Sequence, residues 1–496
     1  MHHPESPAAA ALYSAHLATL MQRADEALRR AGKQHLLIPS GVTKYHFLDD
    51  RPYPFQVNPH FKAWLPLTEY PDCWLIITPG QTPHLIYLLN DDFWHLPPRA
   101  PEGYWIDHWR ISLIRSPDDA RALLPPAIDC AIVGEADAAL QSYVPDNSPA
   151  LLDYLHYHRA SKTAYELALL REASARAVRG HRAAEASFRA GGSELDIHRA
   201  YLAATAHNDL DLPYTNIVCL NEHCATLHYQ YQSPLKPAEF RSMLIDAGAS
   251  VAGYAADITR TWSNGDRLFD ALIQGVDAAQ RALVEGVREG VDYRHLHVEC
   301  HHRLADVLRD VGVLKGSAEA AVAEGISAAF FPHGLGHLLG LQVHDVAGFA
   351  ASDAGGHIER PEGHPFLRLT RPISALDEAV HRLQQGDYVE APVTSVDEIG
   401  RLAASFNAMV GDLKDREARL THMALHDQET GLPNRLSLER QAAAKDGSWV
   451  ILFGVDRFEV VRNAIGYDSM ARLLAALGDR LSGLADGAPM PRVGSV

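Results

Sequence analysis

Cysteine is scarce: five residues, Cys73, Cys130, Cys219, Cys224 and Cys300, are scattered through 496 without Cys-x-x-Cys spacing. That excludes a small disulfide-framed secreted module and fits reduced thiols in a cytosolic setting. Positive charge is in deficit too, with 45 Lys and Arg against 62 Asp and Glu for a net charge of −17. This argues against a general binder of nucleic acid or of anionic membranes. No window approaches the ~20 apolar residues of a membrane helix, and the N-terminus lacks a basic stretch followed by an apolar run. The expectation is a soluble, cytoplasmic chain of two to four domains, with no nucleic-acid partner and no membrane segment.

Histidine, in contrast, is abundant where glycine is. Between Phe330 and Asp345 three histidines, His333, His337 and His344, alternate with Gly334, Gly336 and Gly340. Glycine lets backbone approach a ligand closely, and neutral imidazole is a common donor to zinc, manganese or iron. His337 is the candidate metal ligand, with His333 and His344 as neighbouring or substrate contacts. A histidine-rich surface loop would fit this segment taken alone.

Two apolar stretches, 242–249 and 253–262, read as strands and carry Asp246 and Asp257. With a turn at Val251-Ala252 the two carboxylates fall opposite one another on one sheet face. Like charges held so would repel, and a pair of divalent cations would answer that repulsion. Elsewhere residues 7–32 read as a helix ended by Gly32. Strand-like runs follow at 35–41, 74–78, 83–89 and 130–134, giving a mixed α/β N-terminal domain to about residue 153. Helical periodicity recurs at His156–Phe188, Leu268–Glu285 and His295–Val311. His301 and His302 lie on the last of these, where a core or surface role is expected.

Asp246, Asp257 and His337, in that order and in these flanking words, resemble the pita-bread metallopeptidases, in particular the bacterial Xaa-Pro dipeptidases. The resemblance extends to about Thr370 and includes Asp50 to Pro59, Asn221-Glu222-His223 and Leu227-His228-Tyr229. It implies hydrolysis of proline-containing dipeptides by a homodimer with two divalent metal ions, commonly Mn2+. Asp246, Asp257 and His337 would be metal ligands, and His333 and His344 would steady the developing oxyanion. His228 would reach the substrate. Arg368 could pair with a substrate carboxylate or simply lie at the surface.

After Thr370 the chain changes character. The Ile-Glu-Pro and Arg-x-Glu-Asp words, whose glutamates complete such a site, do not occur. Neither Glu390 nor Glu398 has the matching context. Instead two amphipathic helical patterns, the second opened by Asp397-Glu398-Ile399-Gly400 and keeping heptad spacing, resemble a HAMP signalling linker. His426 to Arg435 resembles the opening of a GGDEF domain, with a strand expected at Trp449–Phe458. Gly454 and Arg462 stand where that family carries a metal aspartate and an asparagine. The fold class expected is α/β (α+β): an N-terminal domain (1–153), a C-terminally truncated pita-bread domain (154–370), a HAMP-like helical hairpin (371–422) and a partial α/β GGDEF-like domain (423–496). Three roles follow: a dipeptidase of full or residual activity, a non-catalytic fusion, or a signalling scaffold.

Overall fold

The computed structural model describes residues 7–94, 96–288, 290–371, 410, 411, 414, 422–443 and 454–484. The chain divides into two units, Met1–Ile373 and Ser374–Val496.

The first unit opens with helices α1 (Pro7–Ala10) and α2 (Tyr13–Ala31). A five-stranded sheet follows, built from β1 (His35–Pro39), β2 (Trp74–Ile77), β3 (His84–Leu88), β4 (Arg110–Ile114) and β5 (Cys130–Ile132) in the order β4-β3-β2-β1-β5. It is mixed, since β1 pairs antiparallel with β2 and parallel with β5. Continuous apolar runs such as Trp74-Leu75-Ile76-Ile77 suit a sheet covered on both faces, and every residue of β2 and β3 is buried. Helix α3 (Pro59–Trp64) starts at Asn58, whose side-chain oxygen accepts the His60 N–H at 2.9 Å.

The helical stretch expected at His156–Phe188 is two helices, α4 (Pro149–Arg159) and α5 (Ala164–Arg189). Local chemistry makes the break: Thr163 and Glu166 form a reciprocal capping box, the Thr163 N–H donating to Glu166 Oε2 at 2.8 Å. Helix α5 packs on α6 (Glu194–Thr205) at Gly180, where a Cβ would lie 2.5 Å from the Tyr201 ring. One apolar core joins Leu36, Phe61 and Trp64 to Tyr165, Leu169 and Ala173 of α5 and onward to Tyr254 and Leu341.

The second sheet, of β6 (Ile217–Leu220), β7 (Ser242–Ala247) and β10 (Ile258–Ser263), has the order β10-β7-β6. In β7 the alternate residues Met243, Ile245 and Ala247 enter a core with Phe188 and Ile197, so Asp246 belongs to the other face. Between β7 and β10 a small hairpin pairs β8 (Ser250–Val251) with β9 (Tyr254–Ala255). Its turn lies at Ala252-Gly253, with φ of 49° and 84°, one residue later than the sequence suggested. Positive φ at both central positions makes glycine at the second favourable. Asp246 therefore pairs with Thr259, and the direct opposition of Asp246 and Asp257 is corrected to a diagonal one. Moving a turn by one residue moves every partner by two, which leaves both carboxylates on the same face.

Helices α7 (Arg267–Gly286), α8 (Tyr293–Asp310), α9 (Ala318–Ala323) and α10 (Ile326–Phe330) follow, then the hairpin of β11 (Ala350–Ser352) and β12 (Gly355–His357). In the second unit residues 422–425 are helical, and the helices Arg435–Ala443, Phe458–Ile465 and Tyr467–Leu484 follow. The heptad helices expected between 372 and 420 lie outside the described residues but for 410, 411 and 414. The strand expected at Trp449–Phe458 lies outside them as far as residue 453, and Phe458 begins a helix.

Candidate metal centre

Asp246 is presented by the polar face of β7, and Asp257 by the segment that enters β10. Both meet one hydroxyl: Tyr214 Oη lies 2.6 Å from Asp246 Oδ1 and 2.9 Å from Asp257 Oδ1. A phenol carries one proton and can donate to one carboxylate at a time, so a second charge remains to be answered. His337 answers part of it, with Nε2 3.1 Å from Asp257 Oδ2. Its Nδ1 lies 3.0 Å from the Leu338 carbonyl. As that oxygen only accepts, Nδ1 carries a proton and Nε2 is the nitrogen that can bind a metal. The His344 ring meets that of His337 edge to face, with centroids 4.3 Å apart.

The electrostatics are lopsided. Burial, then the charge of Asp257, raise the Asp246 carboxyl above its ordinary value, against hydrogen bonds from Tyr214 and Thr259. Burial works in the same direction on Asp257, but the hydrogen bonds from His337 and Tyr214 and the fields of His337 and His344 outweigh it and leave it low. Burial opposes charging of His337, yet Asp257 and the Leu338 carbonyl hold it above the usual imidazole range. His344 is lowered by burial and by His337 and Arg368. Two carboxylates thus share one imidazole and one phenol, a set short of positive charge. Divalent cations suit the chemistry of this donor set, two carboxylates and an imidazole.

These residues line one cleft of 3720 Å³, together with His228, His333, Arg368 and the Asp50–Pro59 segment. That is several times the ~300–1,000 Å³ of a small-ligand pocket, so the converging polar groups mark the site better than the cavity's outline does. Asp246, Asp257, His337 and His344 come together. His228 and Arg368 act on them through space, the first on Asp246 and both on His344. His333 lines the cleft, its ring packed on Phe331 with centroids 4.6 Å apart and its Nδ1 in contact with the Gly334 carbonyl.

Three participants escaped the sequence reading. Tyr214 had only its neighbours Leu212 and Pro213 to mark it. Arg159 and Lys162, at the break between α4 and α5, hold Asp345, whose side chain is fully buried. Lys162 Nζ lies 2.8 Å from it, and Arg159 donates both to it and to Gln342 Oε1, the latter at 2.7 Å. A basic pair at a helix boundary, with an aspartate next to His344, was the available signal.

The fold and the site define a metallopeptidase. A family model for the Xaa-Pro dipeptidase N-terminal domain matches residues 11–157, one for metallopeptidase family M24 matches 168–365, and a HAMP domain model matches 367–415. The Xaa-Pro dipeptidase of Xanthomonas axonopodis pv. citri (strain 306) is 59% identical over 369 residues, 74% of this chain and 84% of the relative. That of Stenotrophomonas maltophilia (strain R551-3) is 56% identical over 365 residues, 73% and 82% of the two chains. Among solved structures, the low-pH form of aminopeptidase P from E. coli shares the fold at a TM-score of 0.54 and 23% identity, covering 68% of this chain and 84% of its own. Proline aminopeptidase P II from Yersinia pestis does so at 0.53 and 24%, covering 69% and 85%. The chain belongs to the Xaa-Pro dipeptidases, of the M24 metallopeptidases with their mixed α/β pita-bread fold, and carries a HAMP domain match beyond residue 366. The family is one of hydrolases that act with divalent metal ions. Among the described residues, no helix is long and apolar enough to cross a membrane.

Proposed function

We propose that this chain handles Xaa-Pro dipeptides at the Asp246, Asp257 and His337 cluster, where those three residues would supply the protein ligands present for divalent metal, commonly Mn2+, and the missing glutamates leave the second of the family's two ions short of ligands. The carrying observation is the shared Tyr214 contact of two carboxylates whose charge the surrounding side chains only partly offset. Bound ions supply Lewis acidity and acidify water. The chain's own residues do the rest. Tyr214 holds the Asp246 and Asp257 oxygens in register. His337 presents Nε2 because Nδ1 is committed to Leu338. His344, kept neutral, is placed beside His337 to donate toward an oxyanion, and His333 reaches that role by a rotation away from Phe331. Arg368 and His228, at the edge of the cleft, orient the dipeptide's carboxylate and backbone. An Xaa-Pro bond is a tertiary amide with no N–H, so recognition rests on such flanking contacts.

Turnover by this sequence is expected to be weak. The two glutamate words are absent, and a missing proton-transfer group alone costs ~10²- to 10⁴-fold. The test assays a proline dipeptide with excess Mn2+, for this chain and for a chimera in which a prolidase segment bearing both glutamates replaces everything after Thr370. The chimera should be faster by at least about 100-fold. Equal rates would show that other residues supply those groups.

The proposed layout keeps the boundaries 1–153, 154–370, 371–422 and 423–496, with a cytoplasmic homodimer as the working assembly. A GGDEF-like reading of the last segment is supported by its ordered opening. Asp427 Oδ1 accepts from the Thr430 N–H and hydroxyl, and Asn434 Oδ1 accepts the Ser437 N–H at the start of helix 435–443. Gly454 and Arg462 argue against cyclase chemistry there.

A further inference from the structure

Away from the Asp246–Asp257 centre, α8 carries His297 and His301 one helical turn apart, and the segment after β12 brings His364 against them. One ring nitrogen from each of the three lies within 4.8 Å of one from each of the others. His297 and His301 are each 1% exposed. His297 Nε2 and His364 Nδ1 are 3.0 Å apart, and His301 Nδ1 is 3.0 Å from Ser327 Oγ. This leaves His301 Nε2 and His297 Nδ1 buried with no hydrogen-bond partner. A buried polar nitrogen left unpaired is costly, and here one of the two sits among two further imidazoles.

We propose that His297, His301 and His364 form a second metal site, taking one first-row transition ion of the Zn2+ class. Imidazole suits zinc, and an i, i+4 histidine pair on one helix face is a chelating arrangement. Burial, with the neighbouring histidines, holds His297 and His301 down at about 4 and lowers His364, so all three are neutral and can coordinate at neutral pH. Ser327, on α10, already orients His301 so that Nε2 faces inward, as an outer partner does for a metal-bound histidine. In a tetrahedral site with bonds of about 2.0–2.1 Å the nitrogens lie about 3.4 Å apart. The pair at 3.0 Å must open slightly, and the wider separations, within 4.8 Å, close by up to about 1.4 Å. Binding moves no proton to solvent: the one shared between His297 and His364 shifts to an outer ring nitrogen, and each ligand stays neutral.

The ion would act as a clamp, tying α8 to the 358–371 segment that carries Arg368. Phe331 packs on both the His297 and His301 rings and on His333, so the same clamp also backs the His333 loop.

The test uses the full chain with Asp246→Asn and Asp257→Asn, which removes the carboxylates of the first centre, stripped with chelator and titrated with Zn2+ against a chromogenic competitor. One Zn2+ per chain should remain, and it should raise the Tm. Adding His364→Gln or His301→Gln should weaken that zinc at least tenfold and abolish the Tm increment, with far-UV circular dichroism unchanged. Co2+ in its place should show the visible absorption of a tetrahedral site, lost in His364→Gln. Retention of no zinc by the double Asp variant, or zinc affinity unchanged by both histidine substitutions, would overturn the proposal. If His301→Gln does not fold, His364→Gln decides alone, since His364 is half-buried on a loop.

Discussion

Two acidic clusters in the first unit, one around the buried Asp345 side chain and one around the half-buried Asp246 and Asp257, sit in opposite electrostatic surroundings. Asp345 has two cations for one carboxylate. Arg159 and Lys162 hold it below its ordinary range despite burial, and positive charge is in surplus around them. Burial and then Arg159 hold His156 down at about 4, and the same two causes hold Lys62 at about 8. Asp246 and Asp257 are the reverse, two carboxylates for one imidazole. In the first cluster the carboxylate's charge is answered within the protein, although Arg159 Nε and Nη1 stay buried without a hydrogen-bond partner, and the contacts pin the residue beside His344 to the α4–α5 junction. In the second, Tyr214 and His337 offset the charge of the two carboxylates only in part. Buried charge by itself therefore does not identify a reactive site. Its imbalance, and the sign of the imbalance, is what separates the two clusters.

The sharpest way to break the contrast is Asp345→Ala. It strands Arg159 and Lys162, both 8% exposed in their side chains, and should cost about 3–5 kcal/mol by urea unfolding. A loss below about 1 kcal/mol would mean the pair is solvated and the cluster not structural. Next comes Asp257→Ala, which should lower metal content after desalting by at least about tenfold by mass spectrometry, with little loss of metal-free stability, because it removes repulsion as well as a ligand. Equal metal in both proteins would sink the assignment. Tyr214→Phe should cost about 1.5–3 kcal/mol in the metal-free chain, and less once metal is bound, since the ions then offset the charge that the phenol now shares. Equal cost in both states would show that Tyr214 only packs.

The smallest effect is a pH dependence. Asp345 has a folded value below its unfolded one, so its contribution to stability is complete above about pH 4. It fades as pH falls through the folded value. Between pH 5 and 3 the native chain should therefore lose stability more steeply than Asp345→Asn, measured by urea midpoints. Parallel slopes would contradict the assignment.

Much of this was legible in residues alone. The strand reading of 242–249 and 253–262 already put Asp246 and Asp257 on one sheet face, and the glycine-spaced histidines already marked 333–344 as backbone that approaches a ligand. The helices near 268–285 and 295–311 stand where their periodicity put them. What could not be read were quantities that depend on residues far apart in the chain. The hairpin's centre was misplaced by one residue, because periodicity does not distinguish Val251-Ala252 from Ala252-Gly253, whereas the positive φ pair does.

The sequence by itself determined the strand-like runs at 35–41, 74–78, 83–89, 130–134, 242–249 and 253–262, the order Asp246, Asp257, His337 and the change of character after Thr370, since these rest on local pattern and short words. Only the tertiary structure decided which charges are balanced. Tyr214 lies 32 residues before Asp246, Lys162 lies 183 before Asp345, and His364 lies 67 after His297. Such partners carry no periodic signal, because what selects them is the burial of a charge or a nitrogen that exists only once the chain has packed.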